Sequence, residues 1–250
     1  MKKIISVVNQ KGGVGKSTTV SALAAALTER GHRTLVIDLD AQCNLSFAYK
    51  VGSTGATALD VLTGAATAAE AIQHTESGDI IPGDRGLAGA DALITQTGKE
   101  YKLREALEPI AAEYEYIIID TPPALGILTI NALTAADTAV IPAQADIFSL
   151  QGIDALSQTI RAVQKYTNPS LTIDGILLTR YSARTTLSRE IAEFAADIAD
   201  KMGTRLYNTR IPENVAIREA QANRQPITKY AQKSNGAKKY FELLDEIFSA

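Results

Sequence analysis

The run Gln10-Lys11-Gly12-Gly13-Val14-Gly15-Lys16-Ser17-Thr18 concentrates the residue types that hold phosphate. Glycines let a backbone curl until successive N–H groups point at one set of anionic oxygens. A helix opening directly after them adds the positive end of its dipole, and Lys16 adds a mobile point charge for the outer phosphates. The Ser17 hydroxyl suits Mg2+, which bridges phosphate oxygens. The apolar run Lys3–Val8 reads as a strand, and Val20, Leu23, Ala24 and Leu27 follow at helical spacing with Gly31 as a stop. The glycines therefore fall at the strand-to-helix junction that such a cradle needs. A plain Gly-rich turn before an amphipathic helix would require neither Lys16 nor Ser17. A dinucleotide site fails on register, because Gly13-x-Gly15 leaves Thr18 where a third Gly or Ala should fall.

Acidic residues complete the set. Asp120 closes the apolar run Tyr116–Ile119 at a strand's C-terminal end, where open α/β sheets bind ligands, and it suits a Mg2+ contact through water. Asp40 lies just past a second strand and is placed to orient or activate an attacking water. Asp38 beside it is a further metal candidate. Asp38 and Asp120 also suit strand-end caps, and Asp40 a turn.

The elements that position these residues alternate along the chain. Candidate strands are Lys3–Val8, Thr34–Asp38, Tyr116–Ile119, Thr138–Ile141, Ile173–Leu178 and Arg205–Asn208, nearly continuous apolar runs of the kind covered on both faces. Helical patterns span about 100–113, 149–166, 186–201 and 236–248. The stretch 52–98, rich in Gly, Ala and Thr, reads as short helices without a domain boundary. The expected fold is α/β: a single domain over residues 1–250, with a mostly parallel twisted sheet and helices on both faces.

Hydrophobic residues make up 46% and charged residues 21%, which allows a sizeable core and argues against wholesale disorder. No apolar run approaches the roughly 18 residues of a spanning helix, and the first strand is too short for a signal-peptide core. The expectation is a soluble cytoplasmic protein. A single cysteine, Cys43, excludes an internal disulfide and any all-cysteine metal site within one chain. The net charge of −3 conceals an asymmetry: residues 1–150 carry −6 and residues 151–250 carry +3. Within 201–239 nine basic side chains face only Glu213 and Glu219. That patch is either a surface for an anionic polymer or a solvated basic face.

These motifs carry a family resemblance. Lys11–Thr18 resembles the deviant Walker A form of the P-loop, with Lys11 as its extra signature lysine and Gln10 in place of the usual first Gly. Val36–Gln42 resembles the family's switch I. Tyr116–Pro123 and Leu125–Leu133 resemble its switch II and following helix. Phe148-Ser149-Leu150-Gln151-Gly152 and Leu178-Thr179-Arg180-Tyr181 are similar to the ParA/Soj-like partition ATPases of the MinD/ParA superfamily. The resemblance implies ATP and Mg2+ as cofactors, with Gly12 to Thr18 around the phosphates and Pro212 and Asn214 near the base. It implies a nucleotide-sandwich homodimer in which Lys11 reaches the partner's phosphates, with Lys11, Lys16 and Asp40 as the catalytic set. It further implies slow hydrolysis stimulated by a ParB-like partner, non-specific binding of double-stranded DNA on the nucleoid, and movement of a plasmid, chromosome origin or other cargo. The DNA candidates it suggests are Arg184, Arg189 and Arg218; charge alone adds Lys233, Lys238 and Lys239. Switch I departs from the family's Asp-Pro-Gln-Gly-Asn at Ala41 and Cys43, which should loosen two backbone constraints.

Relatives separate on residues present. A nitrogenase-type iron protein needs two cluster cysteines, and the tail-anchored-protein targeting ATPase a paired-cysteine zinc site. A MinD-like membrane-associated spatial regulator, the competing reading, needs a basic amphipathic C-terminal helix. Here that helix carries Glu242, Asp245 and Glu246 on its polar face, so it is expected to pack on the sheet, with no membrane partner. The third reading is a nucleotide-dependent scaffold binding neither DNA nor lipid.

Overall fold

The computed structural model describes residues 3–52, 54–184 and 186–248, without the side chains of Phe148 and Gln151, so these two members of the partition-type segment lie outside the described residues. Its strands are β1 (Lys3–Val7), β2 (Thr34–Asp38), β3 (Gln73–Thr75), β4 (Gly78–Ile81), β5 (Tyr116–Asp120), β6 (Thr138–Gln144), β7 (Thr172–Thr179) and β8 (Arg205–Leu206). They form one sheet in the order β3-β4-β2-β5-β1-β6-β7-β8, parallel throughout except for the antiparallel β3/β4 edge. Alternate side chains of each strand enter different cores. Leu35, Ile37, Ile117 and Ile119 face one side, while Val36 and Ile118 face the other. The first core is closed by helices including Lys102–Leu107, Ile127–Ala135, Ile153–Tyr166 and Thr186–Met202, and the second by Lys16–Glu29, Val215–Ala222 and Asn235–Phe248. With both faces covered, the strands need no polar alternation, which is why they read as unbroken apolar runs.

The helix Lys16–Glu29 ends where Gly31 indicates. Gly31 takes φ +86°, and the N–H groups of Gly31 and His32 donate to the Thr28 and Leu27 carbonyls at 3.0 and 3.1 Å. This pairing satisfies carbonyls the helix end would otherwise leave bare. The C-terminal helix buries Tyr240, Leu243, Leu244 and Ile247 in the second core, as expected. No helix among the described residues is long and apolar enough to cross a membrane.

Several expectations require correction. The 149–166 pattern is two helices, Ile147–Gln151 and Ile153–Tyr166, meeting at Gly152. The 100–113 pattern is α-helical only over Lys102–Leu107, because Pro109 cannot donate to the ladder and crowds the preceding turn. Arg205–Asn208 pairs as a strand only over Arg205–Leu206. Within 52–98 short helices do occur, at Ala58–Thr63, Ala68–Ala71 and Ala90–Leu93, but the segment also holds the β3/β4 hairpin. Its β4 adds to the sheet beside β2.

Candidate nucleotide site

Val7 on β1 stands opposite Asp120 on β5, and Asp120 opposite Asp38 on β2. The glycine loop, switch II and switch I therefore leave the sheet side by side, at the end where parallel sheets bind ligands. Gly13 and Gly15 take φ +76° and +94°, the left-handed region that a side chain resists. The loop is held from both ends. The Lys11 N–H donates to Asn9 Oδ1 at 2.9 Å, and the Thr179 hydroxyl donates to the Val14 carbonyl at 2.9 Å. A cleft of about 460 Å3 runs from Gly12–Thr18 past Asp40 to Arg180, Pro212 and Asn214.

The charges in this cleft are not balanced internally. Lys16 is buried, and its ammonium donates to the Lys11 carbonyl at 3.3 Å. Burial pulls it below the usual lysine range, against the charges of Asp120 and Asp40. Both Asp120 oxygens are buried with no hydrogen-bond partner among the described residues. Burial, then the Asp38 charge, drives that carboxyl well above the usual range, despite the nearby Ser17 hydroxyl and Lys16. A desolvated ammonium and an unbonded buried carboxylate are each costly. A ligand bringing anionic oxygens for Lys16 and a hydrated cation for Asp120 and Ser17 relieves both, so the residues fit a magnesium–phosphate group.

Switch I is arranged around Asp38. Its Oδ1 accepts the Asp40 N–H at 3.1 Å, and its Oδ2 accepts the Ser46 N–H and hydroxyl at 2.8 and 2.7 Å. This is the strand-end cap that the sequence left open beside the metal role. Asp40 is buried at the cleft wall and accepts the Gln42 N–H at 3.0 Å. Cys43, which stands where the family has Gly, takes φ +54°. Its loss of Gly therefore strains the loop rather than slackening it. The thiol is pushed up to about 11 by burial and by Asp38, so it is a neutral filler and not a reactive thiolate. Cys43→Gly should stabilise the fold by about 1 kcal/mol, read as a higher urea midpoint. An unchanged midpoint would count against the strain.

Burial raises Asp38 to about 6, against the hydrogen bonds from Ser46 and Asp40. An unfolded aspartate titrates near 4, so between about pH 4 and 6 the folded chain binds the extra proton and stability falls as pH rises. Without nucleotide, urea unfolding should show about 1 kcal/mol less stability at pH 7 than at pH 5 from this group. The fall should be smaller in Asp38→Asn. Equal falls in both proteins would remove Asp38 as its source.

The expected role of Lys11 meets a different resting position. Its ammonium pairs with both Asp146 oxygens of the same chain at 2.9 Å. Asp146 also caps the helix Ile147–Gln151 through the Ser149 N–H at 2.8 Å. Reaching a partner's phosphates requires this pair to open. On the base side, Pro212 bridges to Tyr181, while Asn214 Oδ1 accepts the Ala216 N–H at 2.8 Å and so caps the helix Val215–Ala222. The sequence reading missed two ties across the cleft. Gln221 Nε2 donates to the Thr18 hydroxyl at 2.8 Å, and the Arg224 guanidinium lies 3.9 Å from the centroid of the Phe47 ring. Neither pair has a motif that would announce it.

Arg184 and Arg189 follow β7, and Arg218 follows β8; all three are exposed. Lys233 and Lys238 are exposed as well, whereas Lys239 pairs with Glu242. Lys238 and Lys239 lie in the first half of helix Asn235–Phe248, and its far end reaches the start of β1, where Lys3 lies 5.3 Å from the centroid of the Phe248 ring. Of the six basic candidates, Arg218 lines the nucleotide cleft itself.

A glycine loop opening a helix at the end of a parallel sheet, with buried Lys16 and Asp120 beyond it, defines the class of P-loop ATPases. The family model described as an AAA domain matches residues 2–173. The sporulation initiation inhibitor protein Soj of Bacillus subtilis is 41% identical over 99% of this chain and 98% of its own. The chromosome partitioning protein ParA of Caulobacter vibrioides is 40% identical over 99% of this chain and 94% of its own. Among solved structures, cobyrinic acid a,c-diamide synthase from Mycobacterium smegmatis with bound ADP and magnesium is 36% identical, with a TM-score of 0.85 over 98% of this chain and 93% of that one. The chain belongs to the ParA/Soj family of partition ATPases within the MinD/ParA superfamily. It is an ATPase that uses ATP and Mg2+.

Proposed function

We propose that the ATP-bound form of this protein dimerises, binds double-stranded DNA irrespective of sequence, and positions a plasmid, chromosome origin or other cargo on the nucleoid, with a ParB-like partner stimulating hydrolysis. Residues 1–250 act in this reading as one ATPase domain in the cytoplasm. Ser17 and, through water, Asp120 would hold Mg2+, which when bound would supply positive charge to the phosphates. Lys16 holds the outer phosphates, Gly12 to Thr18 surround them, and Pro212 and Asn214 flank the base. Asp40 orients the attacking water. Lys11, freed from Asp146, supplies positive charge across the dimer as the transition state gains negative charge. Asp38 keeps the loop in shape and is the further candidate for the metal set.

The observation that carries the DNA reading is that Arg184, Arg189 and Arg218 leave β7 and β8 on the side that holds the nucleotide cleft. Dimerisation doubles the contacts available to one monomer. With roughly six phosphate contacts, the log–log salt dependence should have a slope of about −5 with ATP, nearly independent of DNA sequence. Arg184→Glu combined with Arg189→Glu should weaken binding at least tenfold while sparing ATP-dependent dimerisation, whereas Arg218 lines the nucleotide cleft itself and would confound that readout. A gel shift with ATP and with ADP tests this. No ATP-dependent shift at low salt would overturn the DNA reading, and flotation with anionic vesicles would then test the membrane alternative.

A further inference from the structure

The stretch between β4 and residue 93 touches both switch regions. At its start Gly83 lies so close to switch I that a Cβ there would meet the Asp38 carboxyl carbon at 3.0 Å and the Asp40 carbonyl oxygen at 3.2 Å. The Gly83 N–H donates to Ser46 Oγ at 2.8 Å, and that hydroxyl donates to Asp38 at 2.7 Å. The middle is anchored to the core. Asp84 accepts the Gly86 N–H at 2.6 Å, and Leu87 and Ala90 are buried in the first core.

At its far end Asp91 Oδ1 accepts the N–H of Ile127 at 2.9 Å. Ile127 is the first residue of the helix that follows switch II, and Gly126 at its N-cap has no side chain to cap it. Gly126 also leaves room for the visiting carboxylate: a Cβ there would meet Asp91 Oδ2 at 2.6 Å. The helix itself is held by apolar packing of Ile127, Leu128, Ala132 and Leu133. What the exposed Asp91 adds is therefore the setting of its first turn and of the Asp120–Gly126 loop leading into it.

We propose that Asp91 is a positioning residue for ATP hydrolysis: through the Gly83–Asp91 strap it ties the first turn of the switch II helix to the switch I loop, so that Asp40 and the Asp120–Gly126 loop close on the nucleotide as one unit. This inference rests on the roles given above to Asp40 and Asp120.

Steady-state ATP hydrolysis by the full chain tests it in wild type, Asp91→Ala, Asp91→Asn, Gly126→Ala and the Asp91→Ala/Gly126→Ala double variant. Asp91→Ala should lower kcat at least fivefold with KM for ATP within twofold. Asp91→Asn, whose amide oxygen still accepts from Ile127, should return to within twofold of wild type. Gly126→Ala should lower kcat by displacing the carboxylate, yet change it less than twofold where Asp91 is already alanine. An unchanged kcat in Asp91→Ala, a loss that asparagine does not rescue, or a double variant showing the product of both single losses would each overturn the tie. Failure of the underlying reading shows separately, as normal turnover by Asp40→Ala in the same assay.

Discussion

Asp40→Ala should bind ATP with affinity within about threefold of wild type while turnover falls by about 100-fold, the usual scale for removing a group that orients or activates a reacting water. The expectation follows from its position. Asp40 lies at the cleft wall on the loop that Asp38 and Ser46 anchor, and its carboxylate accepts the Gln42 N–H without bracing another element. Truncation should leave the sheet and the phosphate cradle intact. The variant should accumulate as a nucleotide-bound dimer, because assembly proceeds and the step that ends it does not. Light scattering reports the dimer and phosphate release the turnover. Normal hydrolysis would move the water-orienting role to another residue. Lys11→Ala offers the complementary outcome: ATP is bound, but productive closure fails because the charge supplied to the partner is gone.

Lys16→Ala should weaken ATP binding at least tenfold, equivalent to about 1.4 kcal/mol. The cradle's other donors are neutral backbone amides, so Lys16 is the one charge in the Gly12–Thr18 run. Its burial sharpens the effect. A desolvated ammonium facing phosphate interacts through less water than a surface lysine does, and its removal leaves Asp120 and Asp40 without their nearby cation. The loss should therefore exceed what charge screening alone would set, and it should persist at high salt. Calorimetry on the folded variant measures it. Undiminished ATP affinity would remove the phosphate-binding assignment of the loop.

The phosphate cradle was legible in the residues because it is local: a strand, a glycine turn and a helix start lie within consecutive positions, and each has its own backbone requirement. The parallel strands were legible for a related reason, since burial on both faces leaves a run such as Tyr116–Ile119 with no polar interruption. The hairpin of β3 and β4 escaped because Gln73, His74 and Thr75 lie at an edge, where exposure permits polar side chains and erases the pattern. The pairings between distant segments, by contrast, come from the way the strands are ordered in space. The order of strands brings Asp146 to Lys11 across 135 positions, Gly83 to Ser46 across 37 and Asp91 to Ile127 across 36. A single carboxylate or glycine has no periodicity and no local preference for such a partner; the contact exists only because the sheet sets both chain exits at the same end. Residue type and spacing determined that this protein holds phosphate. The lateral order of β2, β5, β1 and β6 decided which side chains hold the residues that do so, because hydrogen bonds of fixed length between neighbouring strands translate that order into distances of a few ångströms at the strand ends.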